Sequence, residues 1–111
     1  MAAANFVSDG NRIDHTPGSA LAAGDVVVQG DLVGVATMPI AANTLGSLAV
    51  SGVFDFPKAT GGGTAITIGS IVYWDDTNNQ ATTTSTGNKL IGKTVKAAAD
   101  GDATVRVRMS Q

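Results

Sequence analysis

The clearest pattern along the chain is an alternation of apolar and polar residues in the segment ATVRVRM. Val105, Val107 and Met109 would lie on one face of a strand, with Arg106 and Arg108 on the other. Because side chains alternate between two faces with period 2 only in extended backbone, the segment predicts a half-buried β-strand. Its valine side should face a core and its arginine side should face solvent.

Shorter apolar runs, each bounded by glycine or turn-forming residues, occur throughout residues 20–111. Residues 26–28 and 32–35 flank Gln29, Gly30 and Asp31, which predicts either a tight hairpin or a bulged strand. Phe54 and Phe56 share one face of a strand that Pro57 ends. Further strands are predicted in LGSLAV, AITIGSIVYWDD, ATTTST and KLIGKTVKAA, the last with a helical turn as the alternative. About seven to nine short strands separated by turns predict a mainly β fold, either a small β-sandwich or a barrel.

Residues 1–19 differ from the β domain predicted over residues 20–111. They are small and polar, and their larger apolar residues, Phe6, Val7 and Ile13, stand apart from one another. Such a segment buries too little apolar surface to offset its ordering entropy. We therefore predict an extended N-terminal arm that is mobile until a partner orders it. Deleting residues 2–14 is predicted to leave the domain folded.

Composition narrows the possible functions of this 111-residue chain. All nine acidic residues are aspartate, and 14 glycines accompany many valines and threonines, which favours strands and turns. A net charge of −2 argues against nucleic acid as a partner, because such binding depends on neutralising phosphates. The absence of cysteine excludes disulfides and thiolate chemistry.

No apolar run is long enough for a membrane span and no secretory signal is present, so synthesis in the cytoplasm is expected.

One motif suggests nucleotide binding. Residues 87–94, GNKLIGKT, fit the phosphate-loop pattern G-x-x-x-x-G-K-[ST]. A working phosphate loop follows a buried strand and opens a helix, whereas here polar TTTST precedes the motif and a Gly-Asp turn follows soon after it. The apolar strand ending in Asp75, which would supply the magnesium ligand, also precedes the motif instead of following it. We interpret residues 87–94 as a turn and a strand.

Other candidates for chemistry are weaker. Asp75 and Asp76, with Asn78 and Asn79, offer oxygen ligands for calcium, but the segment equally fits an Asx turn. His15 is the only histidine, and its neighbour Asp14 would point to the opposite side of a strand. We therefore expect no catalytic residue, no metal site and no cofactor.

Five motifs in order resemble a family of short proteins from tailed phages. They are the NFV and ID of the opening (Asn5 to Val7, Ile13 and Asp14), AAGDVVVQGDLVGVA, LGSLAVSGVFDFPKA, VYWD and GDATVRVR. Together these motifs cover nearly the full length of the chain. The family is understood as capsid decoration, or cement, proteins, although some members have been labelled recombinases of the RecA/RadA type.

The resemblance implies a non-catalytic protein on the outer surface of the phage head. Its partners would be the major capsid protein and further copies of itself, as a homotrimer. The candidate capsid-binding residues are those of the arm: Asn5, Phe6, Val7, Ile13 and Asp14. Two alternatives remain open at this point: a nucleotide- or DNA-handling recombinase that uses residues 87–94, and a host- or carbohydrate-binding module that uses exposed aromatic residues.

Overall fold

The protein consists of two antiparallel β-sheets in the computed structural model, which describes residues 3–111. Nine strands make up the sheets, and these residues contain no helix, so none that could cross a membrane. The strands are β1 (Arg12–His15), β2 (Val26–Gln29), β3 (Leu32–Ala36), β4 (Gly46–Ala49), β5 (Gly52–Pro57), β6 (Ile71–Asp75), β7 (Gln80–Thr82), β8 (Lys89–Thr94) and β9 (Thr104–Met109). The predicted mainly β fold is confirmed, as a small β-sandwich.

The first sheet has four strands in the order β1-β4-β3-β2. Strands β2 and β3 form a hairpin around Gly30 and Asp31, where Gly30 takes the left-handed backbone that such a tight turn requires. Strand β1 pairs along its whole length with β4, so that Ile13 lies opposite Leu48. Part of the segment predicted as an arm is therefore an edge strand of this sheet.

The second sheet has five strands in the order β5-β9-β8-β6-β7. Its two end strands approach each other, because Lys58, which follows β5, forms a parallel bridge with Ala81 of β7. The sheet thus curls back on itself and encloses apolar side chains. Strand β9 has the alternation expected from its sequence, with Val105, Val107 and Met109 buried and both arginines exposed.

The main core lies inside the curled second sheet and against one face of the first sheet. Phe56 and Trp74 are buried at its centre with ring centroids 6.0 Å apart, and Phe54 packs edge-on against Phe56. Val33 and Val35 of β3 contribute to the same cluster and join the two sheets. A second, smaller cluster consists of Ala36, Ile40 and Leu48, with Ile13, Leu21 and Val27 packed against it.

Close backbone contact in the second sheet depends on one glycine. Gly92 of β8 lies beside a register shift in the β6–β8 pairing and against the backbone of β9. A Cβ at this position would overlap the carbonyl oxygen of Arg108 and come within 2.8 Å of the amide nitrogen of Ser110. Gly92 therefore allows β8 and β9 to approach to their observed spacing.

A side-chain amide completes the hydrogen bonding of β3. The Val33 N–H donates to Oε1 of Gln111 at 2.7 Å, and Nε2 of Gln111 donates to the Val33 carbonyl at 2.6 Å. Strand β4 does not reach this far along β3, because the paired residues stop at Val35 and Ala49. The Gln111 carboxamide takes the place of a neighbouring peptide group.

Two local predictions differ from the structure. The segment KTVKAA contains no helical turn: β8 ends at Thr94, and Ala98 forms an isolated bridge with Ile66. The predicted strand ATTTST is ordered as β7 only as far as Thr82. In both places the chain turns away from the sheet before a longer regular element can form.

Candidate functional site

The first three candidate capsid-binding residues lie in the arm tip, residues 3–9. Asn5, Phe6 and Val7 belong to no strand, and all three are exposed. The Phe6 side chain is 83% exposed and that of Val7 is 90% exposed, the two largest values among the exposed large apolar residues. Two adjacent apolar side chains without neighbours form a surface that a partner can cover.

The other two candidate residues lie in β1. Ile13 is half-buried and packs against the cluster of Ala36, Ile40 and Leu48, while Asp14 is exposed and lies opposite Ser47 of β4. The structure therefore does not bring the five candidate residues together. Ile13 has a packing role within the domain, and the arm tip and Asp14 remain accessible. Deleting residues 2–14 would remove most of β1 along with the arm tip.

Residues 87–94 do not form a phosphate loop. Gly87 lies in a turn with positive φ, and Lys89–Thr94 form β8, a central strand between β6 and β9. Lys93 is paired in register with Ile71 on one side and Arg108 on the other. No helix follows, so the segment offers neither a curl of free N–H groups nor a helix N-terminus to a phosphate. The interpretation as a turn and a strand is confirmed.

The acidic segment after β6 forms an Asx turn. Oδ1 of Asp75 accepts hydrogen bonds from the backbone N–H groups of Thr77 and Asn78, and Oδ2 accepts one from the Asn78 side chain. These bonds, above all the one from the Asn78 side chain, lower the pKa of Asp75. Within residues 3–111, no group of three histidine or aspartate side chains is placed to hold a metal ion.

The aromatic residues do not form a platform for a sugar ring. Phe56 and Trp74 are buried in the core, and Phe54 and Tyr73 are half-buried. The Trp74 indole N–H donates to Oδ1 of Asp76 at 3.0 Å, which fixes the ring in place. Phe6 of the arm tip is thus the one strongly exposed aromatic side chain among these five.

A second accessible surface, which the sequence did not reveal, covers the outer side of the second sheet. Cross-strand pairing places Ile71, Lys93 and Arg108 in one row, and Leu90 and Val95 lie close to it. The three apolar side chains are between 37% and 47% exposed. We call this surface, defined by Ile71, Leu90, Lys93, Val95 and Arg108, the cationic face. Of these five residues, Arg108 is the one whose outward position the sequence pattern predicted.

A third accessible surface lies at the connection between β3 and β4. Met38 and Leu45 are 70% and 67% exposed, and they share a shallow groove with Asp14 and Arg12. The Arg12 guanidinium donates to Thr37 at 2.7 Å and to Ser47 at 3.0 Å, which leaves the Asp14 carboxylate without an ion pair among residues 3–111. We call Met38, Leu45 and Asp14 the hairpin patch.

Comparison with known protein families identifies the family of this chain. The family model described as phage cement protein matches residues 7–109. The chain belongs to the phage cement protein family. The resemblance inferred from the five motifs is therefore confirmed, and membership makes the chain a structural decoration protein of a bacteriophage virion. No curated protein and no solved structure matches the chain.

Proposed function

We propose that this phage cement protein binds the outer surface of the phage head and stabilises the lattice of the major capsid protein. The observation that carries the proposal is the family match over residues 7–109. The protein would act without catalysis and without a cofactor, as a homotrimer that is made in the host cytoplasm and added to the head. Neither alternative function gains support, because residues 87–94 form a strand and the aromatic residues form no platform.

The arm tip is the proposed point of contact with the capsid protein. An extended segment can pair its backbone with a partner's sheet edge while its side chains enter shallow apolar pockets. Asn5, Phe6 and Val7 suit this mode because they are exposed and make no regular backbone pairs. Asp14 lies within β1, whose outer edge is open to a further strand, whereas Ile13 would support the contact by anchoring β1.

Oligomerisation would strengthen such a contact. Several weak contacts held on one particle bind together with an avidity far above that of any single contact. A repeating capsid lattice presents matching sites at fixed spacings, so an oligomer with one arm tip per copy can engage several of them. Loss of the arm tip from every copy should therefore weaken binding by orders of magnitude.

The test is to add protein that lacks residues 2–9 to undecorated heads and to measure occupancy against the intact chain. This deletion spares β1, so we expect the circular dichroism spectrum and the melting temperature to stay close to those of the intact protein. Occupancy at equal protein concentration should fall by at least about 100-fold because all arm tips are lost at once.

A double variant separates the apolar side chains from the backbone of the arm tip. Phe6→Ser with Val7→Ser should lose most of the binding, whereas the matched control Phe6→Leu with Val7→Ile should keep it. Undiminished binding by the deletion protein would place the contact outside the arm. Failure of the intact chain to bind heads would count against the proposed function itself.

A further inference from the structure

The exposed apolar side chains of the protein fall into three separate groups. Phe6 and Val7 lie in the arm tip, Met38 and Leu45 in the hairpin patch, and the largest group on and around the cationic face. The first group is accounted for by the proposed contact with the capsid protein. Among residues 3–111, no other side chain covers the other two groups. Each of them also contains a charged side chain that forms no ion pair within these residues.

The charge of the cationic face contrasts with that of the whole molecule. Lys93, Lys96, Arg106 and Arg108 lie on or beside this side of the second sheet, in a chain of net charge −2. Three carboxylates lie on or beside that side, and each has a partner. Asp55 pairs with Arg106, Asp75 accepts hydrogen bonds within its own turn, and Asp102 accepts one from the Ala99 N–H. The remainder of the molecule therefore carries a net negative charge, and Lys93 and Arg108 form no ion pair among residues 3–111.

We propose that the cationic face of one copy packs against the hairpin patch of a second copy, in a head-to-tail contact. This inference rests on the proposed homo-oligomer and names the two surfaces that join its subunits. Ile71, Leu90 and Val95 would cover Met38 and Leu45 of the neighbouring copy. Lys93 and Arg108 would lie close to the Asp14 carboxylate, which would then join copies of the protein and leave the capsid contact to the arm tip.

Charge favours this arrangement over a two-fold dimer through the cationic face. A two-fold axis would bring Lys93 and Arg108 of one copy against the same residues of the other, and such like-charge contacts are strongly unfavourable. A head-to-tail contact instead joins two different surfaces and places cations beside a carboxylate. Arg12 lies in the same groove as that carboxylate, but its guanidinium is held by Thr37 and Ser47. Repetition of such a contact closes into a ring when the rotation between copies allows it. A trimeric ring would therefore use one kind of contact three times.

The experiment measures the mass of the isolated protein, without heads, by native mass spectrometry and by light scattering during size exclusion. We expect the intact chain to be an oligomer that dissociates more readily as salt is raised, because salt screens partly exposed charges. Lys93→Glu with Arg108→Glu should raise the dissociation constant of the oligomer at least about 100-fold. Asp14→Lys should weaken it as well, by the same repulsion.

Two controls separate the proposed contact from a general effect of charge. Asp9→Lys makes the same charge change as Asp14→Lys but lies in the arm tip, and Lys89→Glu lies in the same strand as Lys93 but is paired with Asp31 outside the cationic face. Both controls should leave the oligomer intact. Combining Lys93→Glu with Asp14→Lys exchanges the two charges and should restore much of the lost association.

The outcomes distinguish this inference from the proposed function. A monomeric intact chain at micromolar concentration, or an oligomer that tolerates Lys93→Glu with Arg108→Glu, would overturn the proposed contact. So would variants that stay oligomeric but lose binding to heads, because the cationic face would then contact the capsid protein. An oligomer that depends on these charges but does not bind heads would preserve the inference and overturn the proposed function.

Discussion

The two sheets of this protein differ in how completely each is held together by its own strands. In the five-stranded sheet, the two end strands are linked through Lys58 and Ala81, and the enclosed core includes Phe56 and Trp74. In the four-stranded sheet, β3 and β4 share only two residue pairs, and the small cluster contains three buried residues. The comparison indicates that the five-stranded sheet supplies most of the stability, whereas the less extensively paired four-stranded sheet carries the arm and the hairpin patch.

The largest expected effect tests the five-stranded sheet as the source of stability. Gly92→Ala would place a methyl group into the carbonyl of Arg108, and the paired backbone of β9 cannot move aside at low energetic cost. We expect a loss of about 4 kcal/mol or more in the free energy of unfolding, measured by denaturant titration. Gly101→Ala is the matched control, because nothing lies within 4 Å of its added Cβ and its φ is not positive.

A glycine-to-alanine substitution in the four-stranded sheet should lower the free energy of unfolding by less. At Gly34 an added Cβ would lie 2.9 Å from Cβ of Leu48, a side-chain contact in a region with a smaller core. We expect Gly34→Ala to lower the free energy of unfolding by about 1–3 kcal/mol, the usual cost of overpacking. An equal or larger loss than that of Gly92→Ala would contradict the contrast drawn between the sheets.

The pattern of residues predicted most of the fold and less of the accessible surface. Period-2 alternation in β9 and the turn at Gly30 were evident because both are local properties of the chain. The cationic face was not, because it arises where Ile71, Lys93 and Arg108 are brought into register from three separate segments. Periodicity within one strand indicates which side is buried, but it does not say which strands become neighbours.

The sequence pattern also failed to divide the N-terminal segment into an accessible part and a paired part. Residues 1–19 looked uniform in composition, yet Ile13 packs on the small cluster while Phe6 and Val7 contact no core. An isolated apolar residue is buried only if another segment supplies a surface for it, and here β4 does so at Leu48. The five candidate binding residues thus divide into an accessible tip and a paired strand. The boundary between arm and domain at residue 19 stays a prediction.

A smaller effect probes the connection between the two sheets. Gln111→Ala would remove the hydrogen-bond partners of the Val33 N–H and C=O groups. Because Val33 is fully buried, water cannot replace these partners. Unpaired buried backbone groups cost about 1–3 kcal/mol, so we expect a loss in that range in thermal and denaturant unfolding. Gln111→Glu should also destabilise, because a carboxylate cannot donate to the Val33 carbonyl. Unchanged stability in both variants would show that the hydrogen bonds between Gln111 and Val33 do not stabilise the fold.

The smallest expected effect is a loss of folding stability at acidic pH. Hydrogen bonds to Asp75, and the pairing of Asp55 with Arg106 and of Asp31 with Lys89, lower the pKa of each of these three carboxyls. A carboxyl whose pKa is lower in the folded state stabilises the fold above its unfolded pKa of about 3.9, and this contribution is lost as pH falls through the folded value. We therefore expect stability to be flat near neutral pH and to decline below about pH 4.

The decline should be small because all three carboxyls are at the surface, where water screens their interactions. Asp75→Asn removes one of the titrating groups and should flatten the acid limb slightly in denaturant titrations from pH 2 to pH 7. A steep loss of stability between pH 5 and pH 7 would instead indicate a titrating group other than these aspartates.

The linkage between the ends of the five-stranded sheet has a consequence for solubility. Open sheet edges attract further strands, and chains held close together on a particle are the ones most exposed to that hazard. The bridge between Lys58 and Ala81 brings β7 against one end of β5, so the outer edge of β5 is partly covered. The edge strands of the other sheet, β1 and β2, are each four residues long, and β1 displays Arg12 and Asp14. Short edge strands, one of them charged, reduce the tendency of crowded copies to pair edge to edge, which suits a protein that covers a surface densely.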